Sequence, residues 1–309
     1  MRYAFDEPGA AERRETQYFE MFCNRGIYDK GWTAVTRHSI PWVLVAEMPP
    51  FADDTWELYD TNTDWSQAHD LAAEMPEKLD ELKALFMQEA RKYNVLPLDD
   101  RRAERFNSDL AGRPTLVKGN SQLLFGGMGR LTENVVINVK NKSHSVTAEL
   151  TIPDGGGAEG VIVAQGGAFA GWSLYARNGR PKYAYNLFGV QTFHVEGDTE
   201  IPAGTHQVRM EFDYDGGGLG KGGTISLYVD GAKTGEGRVE GTVPMLYSAD
   251  ETCDIGSDTA SSVSDDYTPK ESRFTGTVEW VQIDIADAAE DVDHLISPEE
   301  RLKIAMARQ

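Results

Sequence analysis

Two cysteines and six histidines have the widest chemical repertoire in this 309-residue chain, and their spacing restricts it. Cys23 and Cys253 lie far apart and neither belongs to a Cys-x-x-Cys pair. That excludes a disulfide-rich scaffold and a zinc site built from four cysteines, and two buried free thiols are expected. His38, His69, His144, His194, His206 and His294 are scattered, with no pair at metal-ligand spacing and no His-Glu-x-x-His. No Gly-x-Ser-x-Gly elbow marks a nucleophilic serine. The loop Asp215-Gly-Gly-Gly-Leu-Gly-Lys-Gly-Gly223 imitates a phosphate loop but fails in detail. Asp215 stands where its first glycine belongs, Gly222 replaces the Ser or Thr that would hold magnesium, and strands flank it where a helix is needed. It reads as a long glycine hairpin. Trp172, Tyr175, Tyr183 and Tyr185 offer either a sugar-stacking surface or the filling of a sandwich core.

The charge balance narrows the partners. Thirty Lys and Arg face fifty Asp and Glu, a net charge of −20. The excess is spread along the chain, with 13 basic against 22 acidic residues in 1–110 and 17 against 28 beyond. A negative field repels a phosphate backbone, so nucleic acid is not an expected partner. Apolar runs such as Trp42–Ala46 and Val161–Ala164 fall far short of the ~20 residues that span a bilayer, so no membrane partner is expected. The first 25 residues lack the apolar core of a signal peptide, and a cytoplasmic location is the expectation.

The elements that would position these side chains divide near residue 110. Residues 1–110 hold three of the 31 glycines, and such a shift means a change of architecture, because glycine punctuates turns between strands. In the first segment Gly31–Thr36, Pro41–Val45 and Thr55–Tyr59 read as strands. Pro76 opens a helix to about Tyr93, with Leu79, Leu82, Leu85, Phe86, Ala90 and Tyr93 forming one stripe. A short antiparallel sheet with one helix packed on it is the expected unit. From Gly112 onward the pattern is all-β. Val146, Ala148, Leu150 and Ile152 share one face of a strand, and Val208, Met210, Phe212 and Tyr214 one face of another. Further strands are read at Gly160–Gln165, Trp172–Ala176, Lys182–Phe188, Thr192–Glu196, Thr224–Val229, Lys233–Val239 and Thr277–Ile285. Asp230-Gly231 is a hairpin signal. Nine or ten strands at this spacing predict a mostly β protein: the small α+β unit over 1–110, then a jelly-roll or concanavalin-like antiparallel sandwich over 111–286. Residues 287–309 follow as an acidic and then helical tail, with Ser297-Pro-Glu-Glu300 as its start.

Several phrases of the first segment carry a resemblance. They are the run from Gln17 to His38 with Cys23-Asn-Arg-Gly-Ile-Tyr-Asp-Lys-Gly-Trp-Thr-Ala34 inside it, then Trp56-Glu-Leu-Tyr-Asp60, His69-Asp-Leu-Ala72 and Val95-Leu-Pro-Leu-Asp-Asp-Arg101. In this order they resemble the C-terminal subdomain of bacterial arylsulfatases. Asn141-Lys-Ser-His-Ser145, Val163-Ala-Gln-Gly-Gly167, Tyr228-Val-Asp-Gly231 and Ser248-Ala-Asp-Glu251 resemble the accessory sandwich that follows in long members of that family.

The resemblance implies a sulfuric ester hydrolase, acting through a formylglycine nucleophile and a calcium ion. Neither cysteine, and no serine, fits the Cys/Ser-x-Pro/Ala-x-Arg motif, so this chain has no catalytic residue and no cofactor of its own. Both would belong to a missing N-terminal sulfatase domain, and an organosulfate would be a partner only of the complete enzyme. Thr33 stands where the family carries a sulfate-contacting lysine, and Lys30, Arg37 or His38 are the candidates to replace that cation. An ordinary strand with polar ends is the alternative for the same residues. The expectation is therefore a C-terminal portion of an arylsulfatase, inactive alone, with self-association through aromatic surface around Tyr18, Phe19, Met21, Phe22, Trp32, Trp42 and Trp56. A free-standing β-sandwich module that binds a carbohydrate or a protein is the competing reading. A split enzyme completed by a second chain is the third.

Overall fold

Turn chemistry and alternation place most of the strands. The computed structural model describes residues 5, 7, 9–11, 13–40, 48–289 and 293–307. They form two units, Met1–Arg105 and Phe106–Gln309. In the first unit β1 (Thr16–Met21), β2 (Asn24–Asp29), β3 (Trp32–Thr36) and β4 (Trp56–Asp60) make one antiparallel sheet in the order of the chain. Lys30 and Gly31, at φ 49° and 89°, form the two-residue turn between β2 and β3. Helix α1 (Pro76–Lys92) packs on the sheet as its stripe predicts, with Leu82, Phe86 and Ala90 buried against Ile27, Ala34 and Leu58. The strands β1 and β2 add to those the sequence shows. Strand β1 alternates poorly because it is a sheet edge, with Phe19 and Met21 exposed. The strand expected at Pro41–Val45 lies outside the described residues.

The second unit is an antiparallel sandwich of jelly-roll type. A short helix, α2 (Ser108–Ala111), precedes β5 (Ser121–Phe125) and β6 (His144–Ile152). Then come β7 (Gly160–Gly166), β8 (Gly171–Arg177), β9 (Arg180–Leu187), β10 (Gln191–Glu196), β11 (Gly204–Tyr214), β12 (Lys221–Val229) and β13 (Ala232–Gly241). Strands β14 (Cys253–Ile255) and β15 (Thr277–Ile285) and helix α3 (Pro298–Ala307) complete the unit. One sheet runs β13-β12-β11-β6-β15-β5 and the other β10-β9-β8-β7-β14. Val146, Ala148 and Leu150 of the first sheet and Ile162, Trp172 and Leu174 of the second fill one core between them. Both cysteines are buried free thiols; burial pushes Cys23 up to about 11 and Cys253 higher still.

The outer faces are covered in part. Trp280 of β15 packs against Ile296 and Ile304. Ser297 and Glu300 bond reciprocally across the first turn of α3, Glu300 N to Ser297 Oγ at 3.3 Å and Ser297 N to Glu300 Oε2 at 3.2 Å. That is a capping box, and it fixes where the helix begins. On the other sheet Val263 and Tyr267, from the segment after β14, lie on Val161, Tyr175 and Ala184.

The glycine-rich loop 215–223 is the hairpin expected, closing from Asp215 N to Gly222 O at 3.0 Å. Asp230 and Gly231, at φ 47° and 79°, make the tight turn between β12 and β13. A Cβ at Gly231 would also stand 2.6 Å from the carbonyl oxygen of Asp293. Gly231→Ala should therefore destabilise by about 1–3 kcal/mol through its positive φ and that clash. Chemical denaturation checks this: an unchanged midpoint would show that the turn relaxes freely.

Candidate functional site

The sequence offers four aromatics for stacking, and the sandwich buries all of them. Trp172, Tyr183 and Tyr185 point into the core. Tyr175 lies on the outer face, beneath Tyr267 with ring centroids 5.3 Å apart. Its hydroxyl donates to Asp266 at 2.6 Å, and Lys182 Nζ lies 2.5 Å from the same carboxylate. Burial works to raise the Asp266 carboxyl, but hydrogen bonds from Lys182 and Tyr175 outweigh it and hold it below the usual range. These bonds pin the covering segment to the sheet.

The residues suggested for a sulfate pocket do not meet at one point. Lys30 sits in the turn before β3, exposed, 3.4 Å from Glu15. Thr33 is buried within β3, opposite Tyr28 and Tyr59. Arg37 is exposed just past the other end of the strand. His38 is buried, its Nδ1 held 2.8 Å from Asp54 Oδ1 and its ring stacked 4.4 Å from that of Phe51. Asp54 also pairs with Arg25. Lys30 and Arg37 thus stand at opposite ends of one strand. Among the described residues no group of three or more His, Cys, Asp or Glu side chains could hold a metal ion.

The cavity that does gather polar groups lies in the second unit, between stretches 106–119, 132–142 and 246–249, with a volume of ≈ 460 Å³. Local sequence explains its walls. Asn107 caps α2, its Oδ1 accepting from Asp109 N at 3.0 Å, and its Nδ2 donates to Pro244 O at 2.9 Å. Gly112, at φ 66°, turns the chain out of the helix, and Arg113 N bonds back to Ser108 O at 3.2 Å. On the facing stretch buried Val136 and Ile137 line the cavity together with Asn134, Asn138 and Lys142. Asn138 Nδ2 donates to Asn107 Oδ1 at 3.1 Å and Asp109 Oδ2 at 3.0 Å, and Lys142 Nζ reaches the same Asp109 oxygen at 2.7 Å.

Beneath them Lys140 is buried, paired with Glu133, its ammonium 4.8 Å from the centroid of the Tyr247 ring. Glu133 Oε2 accepts from Tyr247 N at 2.9 Å. Burial lowers the Lys140 pKa, against the opposing pull of the Glu133 charge. Phe106 and Leu116 stand on the wall with 41% and 69% of their surface exposed, an apolar face beside the polar one. The arrangement can hold a ligand that is polar on its edges and apolar on one side. Lys142 falls in the phrase Asn141-Lys-Ser-His-Ser145, singled out from the sequence only for a resemblance, and the other residues carry no mark there. The signal present was three asparagines (Asn134, Asn138, Asn141) interleaved with valine and isoleucine in a stretch that forms neither a strand nor an α-helix.

No family model matches the chain, and no curated protein matches it. Solved structures do. A carbohydrate-binding module of family 40 from a Ruminococcus gnavus sialidase is 12% identical, with a TM-score of 0.36, over 62% of this chain and 99% of that one. A pentraxin from Limulus polyphemus is 15% identical, TM-score 0.33, over 55% of this chain and 79% of that one. Mouse laminin α1 domains LG4-5 are 17% identical, TM-score 0.33, over 58% of this chain and 42% of that one. The expectation of an arylsulfatase portion is corrected by these findings: no sulfatase model matches, and the three structures are a sugar-binding module, a pentraxin and laminin domains. The physical reason lies in what the shared phrases do. Asp29-Lys-Gly-Trp32 is a tight turn between paired strands, and Leu58 N–H bonded to Asp70 Oδ1 at 2.9 Å ties His69-Asp-Leu-Ala72 to β4. These phrases satisfy backbone geometry, which any hairpin of this shape demands. The chain carries a β-sandwich module.

Proposed function

We propose that the sandwich is a carbohydrate-binding module whose ligand lies in the cleft between stretches 106–119, 132–142 and 246–249. One observation carries the reading: planar polar side chains, already fixed by their own hydrogen bonds, share this ≈ 460 Å³ cavity with an exposed apolar wall. A sugar ring presents hydroxyls around its edge and C–H groups on its faces. It is held by groups oriented in advance and by an apolar platform, in a cavity of this order of size. Binding is favoured over cleavage. Glycoside hydrolysis needs two carboxylates with divided acid and base roles, and here Asp109 is bonded to Lys142 and Glu133 to Lys140.

Asn134 supplies the test. It is exposed on the cleft lining, and its Oδ1 accepts from Thr132 Oγ1 at 2.7 Å. On an array of glycans the full chain should bind a defined subset, and Asn134→Ala should weaken that binding about tenfold through lost hydrogen bonds, with little change in Tm. A chain that binds no glycan, or an Asn134→Ala variant of unchanged affinity for those bound, sinks the reading.

A protein partner is the second reading, favoured by a different feature. Phe169, Phe188 and Val190 are 61%, 43% and 87% exposed on two hairpin tips, with the two rings 6.1 Å apart. Buried Asn186 locks both tips, donating to Gly167 O and Ala168 O at 3.0 Å and accepting from Gly189 N at 2.8 Å. A fixed apolar patch of this kind suits a protein surface.

A further inference from the structure

The ions on the cleft wall are not equally satisfied, and this asymmetry names a ligand class. Glu133 spends both oxygens inside the protein, one on Lys140 and one on Tyr247 N–H. Asp109 Oδ2 takes bonds from both Asn138 and Lys142. The donors are in surplus. The guanidinium of Arg113 is exposed on the wall and has no partner among the described residues. The ammonium of Lys142 makes one bond of its three, and the Nδ2 donors of Asn134 are open among the described residues. The cleft therefore offers a planar fork, an ammonium and an amide, all donating, with Asp109 Oδ1 as the acceptor left over. Its charged lining is three basic side chains to two acidic, in a chain with 30 basic to 50 acidic residues. The backbone of Arg113 is tied to Ser108 and followed by Pro114, which fixes the point from which its side chain leaves the chain.

Resting on the carbohydrate reading of this cleft, we propose that it selects a carboxylated saccharide, with Arg113 clasping the carboxylate and Lys142 and Asn134 donating beside it. A guanidinium matches the two oxygens of a carboxylate in one plane, and such charge-assisted pairs are the stronger hydrogen bonds. A neutral sugar would leave the fork unanswered.

The experiment uses the full chain on matched pairs of oligosaccharides that differ only in the carboxylate. Oligogalacturonate and its methyl ester make one pair, and sialylated and desialylated oligosaccharides the other. The acid of at least one pair should bind about tenfold or more tightly than its neutral partner, the scale of a charged hydrogen bond. Raising sodium chloride from about 50 mM to 500 mM should erode that preference through screening. Arg113→Ala should abolish the preference, and Arg113→Lys should keep the charge but lose most of the gain, because an ammonium lacks the fork. Circular dichroism and Tm establish that each variant is folded, as expected for an exposed residue. Equal binding of acid and neutral partners, or a preference that survives Arg113→Ala, overturns the acidic-sugar inference and leaves the carbohydrate reading intact. Failure of every oligosaccharide on the wider array overturns both.

Discussion

Replacing Lys140 by Met should destabilise the second unit by about 3–5 kcal/mol, the cost of leaving one member of a buried ion pair without its partner. The lysine and Glu133 side chains are 4% and 12% exposed, and the ammonium stands over the Tyr247 ring. Methionine keeps the length and apolar stem that pack there, so the change isolates the charge. Glu133 would then face burial with only the Tyr247 N–H to answer it. The double variant Lys140→Met, Glu133→Gln should recover most of the loss, because the glutamine carbonyl still accepts from Tyr247 and no charge is stranded. At roughly 2–4 °C per kcal/mol for a domain of this size, the single variant should melt about 10 °C lower. A double-mutant cycle by chemical denaturation is the measurement. Additive effects would mean that water already solvates the pair.

The pH dependence of stability should rest in part on two buried groups that oppose each other. Burial pushes the Asp258 carboxyl up from 3.8 to about 6, helped by the charges of Asp254 and Glu251 and resisted by hydrogen bonds from Val263 N–H and Tyr267 O–H. The folded chain therefore binds this proton more tightly than the unfolded one. The stability it contributes is full below pH 3.8 and is lost as pH rises through about 6. Burial pushes His144 the other way, from 6.5 down to about 4, against a hydrogen bond to the Lys142 carbonyl. There the unfolded chain binds the proton more tightly, so the contribution is present above 6.5 and lost as pH falls through about 4.

Each shift corresponds to about 3 kcal/mol, and across the shared window they nearly cancel. Single replacements expose the terms. Relative to the parent, Asp258→Asn should gain about 3 kcal/mol of stability between pH 4 and 7, and His144→Phe should lose about as much over the same range. Urea unfolding at a series of pH values reads these differences, whatever each substitution costs in packing. Parallel curves for parent and variants would show that neither group is perturbed. Other carboxylates of the folded chain, such as Asp215 held low by Arg238, add an acid-side loss common to parent and variants.

Alternation and turn chemistry read well where the physics is local. A strand with one face in the core must alternate, so β6 and β11 stand out in the sequence with their buried residues in register. A two-residue turn with positive φ needs Asp-Gly or its like, so the β12–β13 hairpin is visible too. The short strands β5 and β14 do not announce themselves. Three residues of β14 cannot show a period, and β5 belongs to the sheet only because β15, far along the chain, pairs with it.

Arg209 shows the limit within a well-read strand. Alternation sets it opposite the core face, where solvent is expected, yet it is 1% exposed. Its guanidinium bonds Thr147 Oγ1 at 3.0 Å and the Ala289 carbonyl at 2.8 Å, because the chain after β15 returns over that face. The aromatics teach the same point. Composition shows that Trp172, Tyr183 and Tyr185 are large and apolar, but only sheet pairing decides that they fill a core while Phe169 and Phe188 stay outside.

The sequence alone specifies a small sheet-and-helix unit followed by an antiparallel sandwich, and a net charge of −20. Those properties follow from periodicity, turns and charge, which neighbouring residues or simple sums express. Only the tertiary structure decided the cleft. Asn107, Asn138 and Pro244 come from three separate stretches and meet through single hydrogen bonds. Such long-range bonds leave no period in the sequence, because each partner is chosen by the path of the whole chain.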